Sequence, residues 1–161
     1  MPHSRHTLLK ARFEVVRRDL TEVMGRITPE ILDWAPAAGM RTTTGQILEI
    51  LATEIQLIAS LKDEPWVSDE AAAEMIGDYS NLTGLKQGLT NIRQQTLDYL
   101  DTLSDAELAE EIRFGAGWFG SMNLPTIPRA EVFLHIADHE WYHTGQLTSY
   151  LWSRGDDPYT W

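Results

Sequence analysis

Three histidines, His135, His139 and His143, recur at intervals of four near the end of this 161-residue chain. In an α-helix each step of four residues advances about 40° beyond a full turn, so neighbouring pairs share one face. His139 and His143 fall inside the apolar stripe Val132, Ile136, His139, His143, Leu147 and Tyr150, and His135 sits at its edge. Two imidazoles four apart can bind one metal ion, because their ring nitrogens converge over a single turn. The competing reading is a set of core histidines hydrogen-bonded to Ser, Thr or backbone groups.

A carboxylate on another apolar stripe favours the metal. Glu54 lies among Ile47, Ile50, Leu51, Ile55 and Ile58, where an ionised group is costly without a compensating partner. That partner is either an arginine or lysine of another helix, such as Arg12 or Arg93, or an ion shared with His139 and His143. The second choice gives a two-histidine, one-carboxylate set with open positions, and His135 is then a reserve ligand or a proton carrier.

His139-Glu140-Trp141-Tyr142-His143 also matches H-E-x-x-H, the helix of zinc peptidases in which the glutamate is the general base. The continuation Thr144-Gly145-Gln146-Leu147 lacks the third histidine of one such class. No glutamate follows Glu140, which removes the other class. Proteolysis is set aside, and Glu140 is expected to face solvent or to touch a ligand histidine. Ser121 and Ser149 lack an activating context, and no glycine-rich phosphate loop occurs.

Four helices must position these residues. Leu9, Phe13, Val16, Leu20, Val23 and Met24 predict a helix from about His6 to Arg26. Trp34 to Arg41 is a loop, and Thr42 to Thr44 cap a second helix that runs to about Lys62. A long connection, Asp63 to about Ser80, carries a weakly helical piece at Glu70 to Ile76. A third helix covers about Leu82 to Leu103, and Ser104 to Glu107 forms a capping box. Arg113 to Pro128 is a loop or short hairpin, in which Trp118, Phe119 and Met122 either roof a pocket, form a dimer contact or anchor the loop. The last helix runs from about Arg129 to Arg154 and ends at Gly155. The expected architecture is all-α, a four-helix bundle over residues 1–161 as a single domain, with a long connection between the second and third helices.

Composition narrows the function classes. Thirteen Lys and Arg against 24 Asp and Glu give a net charge of −11, from which nucleic acid and anionic membranes are excluded as partners. There is no cysteine, hence no disulfide, thiolate ligand or cysteine nucleophile. The start does not read as a signal peptide and no stretch is long enough to span a bilayer, so a cytoplasmic protein is expected.

The loop Trp34-Ala35-Pro36-Ala37-Ala38-Gly39-Met40 leading into Thr44-Gly45-Gln46-Ile47-Leu48 resembles the stretch that opens the second helix of the DinB-like family. His139-Glu140-Trp141-Tyr142-His143-Thr144-Gly145-Gln146-Leu147 resembles that family's last-helix signature, and Gly155 to Tyr159 its tail. The resemblance implies a four-helix bundle, often dimeric, with a divalent metal held by one histidine of the second helix and two of the last. It also implies activities like those of bacillithiol and mycothiol S-transferases, a mycothiol-dependent isomerase, or hydrolases.

By position, His139 and His143 match the two last-helix ligands. Ile50 stands where the family has the other histidine, and Glu54 is the available substitute. The expected ion is Zn, Ni, Fe or Mn. The expected activity is a transferase or hydrolase acting on a small electrophilic molecule, with a low-molecular-weight thiol as cosubstrate, in a homodimer. The alternative is a non-catalytic bundle with a vestigial site, serving as a stress-related binding or assembly module.

Overall fold

The computed structural model describes residues 3–115 and 117–161, without the side chains of residues 117 and 118. Four long helices dominate: α1 (Arg5–Arg26), α2 (Thr43–Leu61), α4 (Leu82–Asp101) and α6 (Arg129–Ser153). Two short ones, α3 (Asp69–Ile76) and α5 (Asp105–Ala109), lie between them. The expected bundle is therefore present, and its helix boundaries fall within about two residues of those read from apolar spacing.

The start signals operate as the sequence implies. Ser4, Thr42, Ser68, Asn81 and Ser104 each accept a backbone N–H of the helix they precede, and Ser104 completes its capping box with Glu107. Each such cap satisfies an amide that the helix itself leaves unpaired. Gly155, at φ +94°, takes the left-handed conformation that ends α6. β1 (Glu111–Ile112), just before the segment read as a loop or hairpin, pairs antiparallel with β2 (Ile127–Pro128) at its end, with Ile112 opposite Ile127.

Around the bundle, α1 packs on α6 and α4, and α2 packs on the same two helices. This order places α1 diagonally across from α2. The buried apolar residues form two clusters. One gathers Leu20, Val23, Met24, Ile47, Ile50, Leu51, Leu85, Leu89, Ile92, Leu147 and Leu151. The other gathers Leu9, Phe13, Val16, Leu57, Ile58, Leu61, Leu100, Phe133 and Ile136. Arg17, Arg93 and Glu140 fall between the two clusters in sequence on their helices, and Glu54 lies on α2 between Leu51 and Ile55, close to where the first cluster gives way to the second at Leu57. Each of the two arginines reaches both glutamates, so a layer of ion pairs lies where the two cores meet.

No described helix is long and apolar enough to cross a membrane.

Candidate metal centre

His139 and His143 come together as their spacing implies. Their Nε2 atoms lie 3.1 Å apart. Two imidazole–zinc bonds of about 2.0–2.1 Å bring nitrogens to a similar separation. Among the described residues, one group offers three ligand atoms within 4.8 Å of one another: Glu49, His139 and His143. This donor set suits a borderline divalent cation.

The electrostatics keep the rings ready to ligate. Burial pushes the His139 pKa down to about 3, and His143, His135 and Arg41 add to the shift. Burial also lowers His143, more than Glu49 and Gln146 beside it restore. A neutral imidazole is the form that binds metal. Glu49 is half-buried, and its Oε2 lies 3.0 Å from Arg41 Nη2.

The loop before α2 and the end of α6 fix His143. Thr43 N–H donates to the Trp34 carbonyl and Thr44 N–H to that of Leu32, at 2.9 Å each. These bonds hold the loop against the helix start, and Gly39, at φ +83°, supplies its left-handed turn. Trp34 meets Tyr150 edge to face at 5.8 Å, and the Tyr150 hydroxyl donates to the Arg41 carbonyl at 2.8 Å. Gln46 Nε2 donates to that hydroxyl at 2.9 Å, and Gln46 Oε1 lies 2.6 Å from His143 Nδ1.

Glu54 does not join the histidines. Arg93 takes it bidentately, Nε at 2.7 Å and Nη2 at 3.0 Å, with Arg17 Nη2 at 3.8 Å. Of the two arginines weighed from the sequence, Arg93 is the partner and Arg12 is bound to Asp138. Burial alone would raise the Glu54 carboxyl, but the Arg93 and Arg17 guanidiniums outweigh it and hold its pKa below the usual range. The acid near the histidines is Glu49, immediately before the core residue Ile50.

Glu140 also departs from expectation. It is only 1% exposed, takes Arg17 Nε and Nη2 at 3.0 and 2.8 Å, and takes Arg93 Nη2 at 2.6 Å. A base bound by two guanidiniums in the bundle interior cannot serve a peptidase, so the H-E-x-x-H match is a structural coincidence. Arg17 also donates to the Leu89 carbonyl, and Arg93 lies over the Phe13 ring at 4.2 Å. The signal for Glu140 was present in a second stripe on the last helix, Phe133, Ala137, Glu140, Thr144, Leu147 and Leu151, all buried.

His135 stands beside the group without entering it, its ring 6.0 Å from that of His139 and 5.0 Å from Phe119. Phe119 is buried and meets Phe114 at 5.1 Å, and Met122 packs on the second core. The Trp118 side chain lies outside the described residues. A groove of about 650 Å³ runs between α1 and α6, lined by Asp19, Glu22, Asp138, Trp141, Tyr142 and Trp161 among others, and neither His139 nor His143 lines it.

A family model for the DinB superfamily matches residues 12–147. No curated protein sequence matches the chain. In structure it is similar to the colibactin self-resistance protein ClbS, solved in complex with double-stranded DNA. The TM-score is 0.67 at 14% identity, covering 94% of this chain and 97% of that one. It is also similar to an uncharacterised protein from Escherichia coli UTI89, with a TM-score of 0.64 at 14% identity and 96% of each chain covered. Likeness at this identity establishes the shared fold.

The ClbS complex overturns the exclusion of nucleic acids drawn from net charge. A protein of this fold is solved on double-stranded DNA, and −11 is a sum over the whole chain that says nothing of how the charges are distributed. On α1 alone, six Lys and Arg stand against three acids.

Proposed function

This chain belongs to the DinB superfamily, and on that premise we propose that Glu49, His139 and His143 hold a divalent metal ion at the centre of a metal-dependent enzyme. The observation that carries this reading is the 3.1 Å approach of two imidazole Nε2 atoms beside a half-buried carboxylate. Zn, Ni, Fe and Mn are the candidates, and a bound ion supplies Lewis acidity that makes a coordinated water or thiol nucleophilic near neutral pH.

The chain's own residues then have distinct tasks. Glu49 contributes the anionic ligand, and Arg41 orients it. His139, less buried than His143, is the ligand more open to an incoming molecule. His135, one turn earlier, is the proton carrier in this reading, its ring 6.0 Å from that of His139. The substrate class is a small electrophile, with a low-molecular-weight thiol or water as the attacking group. The chain works as one domain over residues 1–161, as a cytoplasmic homodimer.

The test is to load tag-free protein with each metal and follow consumption of a chromogenic electrophile with and without a small thiol. Turnover that His139→Ala abolishes supports the reading. Equal rates in the variant and the parent contradict it.

One observation favours a second reading, a non-catalytic binding module: a protein of this fold is solved with double-stranded DNA. Fluorescence anisotropy of a labelled duplex at two salt concentrations separates the readings. Saturable, salt-dependent binding without turnover supports the module.

A further inference from the structure

We infer that the backbone carbonyl of Arg41 dictates, through Tyr150 and Gln46, which nitrogen of His143 carries the proton, and that it keeps Nε2 bare on the side facing His139. A backbone carbonyl can only accept, so the single Tyr150 hydroxyl proton is used on Arg41 at 2.8 Å. The Tyr150 oxygen must therefore accept from Gln46, which fixes the amide with its NH2 group toward Tyr150 at 2.9 Å. The other end of the amide, Oε1, then faces His143 Nδ1 at 2.6 Å and can only accept. His143 is consequently protonated at Nδ1, and its Nε2 presents a lone pair to His139 Nε2 at 3.1 Å.

This chain of bonds makes the two histidines unequal. With His143 Nε2 bare, the short contact requires His139 Nε2 to carry a proton in the metal-free protein, so the neighbours hold opposite tautomers. The further consequence rests on the metal reading given above: His143 is set for ligation beforehand, whereas His139 must move its proton to Nδ1 when an ion arrives. Gln46 and Tyr150 are thus positioning residues. Both are buried, on α2 and α6 respectively, so the register of one helix against the other is read out as a proton position.

The experiment is long-range 15N–1H correlation spectroscopy of the histidine rings in tag-free, EDTA-treated protein. It distinguishes protonated from bare ring nitrogens directly and needs no metal or substrate. The expected parent spectrum has His143 protonated at Nδ1 and His139 at Nε2. Tyr150→Phe frees the amide to turn over, and His143 is expected to become a mixture of tautomers. Adding Gln46→Glu, whose carboxylate can only accept, should restore the Nδ1 proton without the tyrosine.

Zinc affinity of Tyr150→Phe is expected to fall about tenfold, in line with the loss of an outer contact to a ligand histidine. A parent spectrum with His143 protonated at Nε2 overturns the inference, as does a Tyr150→Phe spectrum identical to the parent's. If the tautomers are as stated and no zinc binds, the proton relay stands and the metal reading falls. If zinc binds and the tautomers are otherwise, the reverse holds.

Discussion

Arg93 Nη2 reaches Glu140 Oε2 at 2.6 Å in the bundle interior, joining the third and fourth long helices through a contact that no apolar pattern specifies. The same guanidinium grips Glu54, so α2, α4 and α6 converge on one side chain, and Arg17 brings in α1. Two acids and two bases make the layer neutral. Burying them is tolerable because each charge is paired and hydrogen-bonded.

Removing one charge should therefore cost more than removing a pair. Glu54→Gln leaves Arg93 short of a partner in the core and is expected to destabilise by about 3–5 kcal/mol. The double variant Glu54→Leu with Arg93→Met leaves the Arg17–Glu140 pair intact and should lose much less. Urea denaturation of the three proteins reads both values. A single variant as stable as the parent would remove the argument.

Glu49 and Glu54 should separate metal binding from stability. The Glu49 pair with Arg41 is a surface ion pair, so Glu49→Gln should shift stability by less than about 1 kcal/mol. It should weaken zinc binding at least about tenfold. Glu54→Gln should do the opposite, with near-parental zinc affinity in protein that remains folded. Calorimetric titration under native conditions checks both, and equal effects on zinc affinity would contradict the assignment of Glu49.

Acid should destabilise the metal-free protein early. Unfolded histidine titrates near about 6.5, whereas burial holds folded His139 at about 3 and lowers His135 and His143 as well. Between those values the unfolded chain binds more protons, so stability falls as pH drops below about 6.5. Glu54, also lowered in the fold, adds its loss further down, as pH falls below the ordinary carboxylate range. Denaturation with EDTA at pH 8, 6.5 and 5 should show the decline, and His139→Gln should flatten it. A flat parental profile would contradict the shifts.

Gly84 offers a test of the α3–α4 junction. In an open helix, Gly→Ala gains about 1 kcal/mol. Here an added Cβ would lie 1.7 Å from the Asp78 carbonyl oxygen, so Gly84→Ala should destabilise. A higher midpoint in thermal unfolding would contradict that packing.

The fold was largely legible because apolar spacing and caps are local. Ser104 with Glu107 marked α5, and Leu9 to Met24 marked the inward face of α1. The histidine pair was legible for the same reason, since both residues sit on one helix. What failed was the meeting of polar residues across helices. Glu54 read as inward and costly, correctly, but its partner depended on how α2 and α4 are rotated toward each other. Arg17 gave no sequence signal, and neither did Glu49, which lies at the edge of the α2 stripe one residue before Ile50. Net charge misled for a different reason, because a single value carries no information about where charges sit.

The central claim is tested most directly by counting metal. Purified without an affinity tag and analysed by inductively coupled plasma mass spectrometry, the parent should carry one divalent ion per chain. His143→Ala, and separately Glu49→Ala with His139→Ala, should carry none. Equal metal in the parent and the variants, or an ion-free parent that fails to bind Zn, Ni, Fe or Mn on titration, would contradict the account.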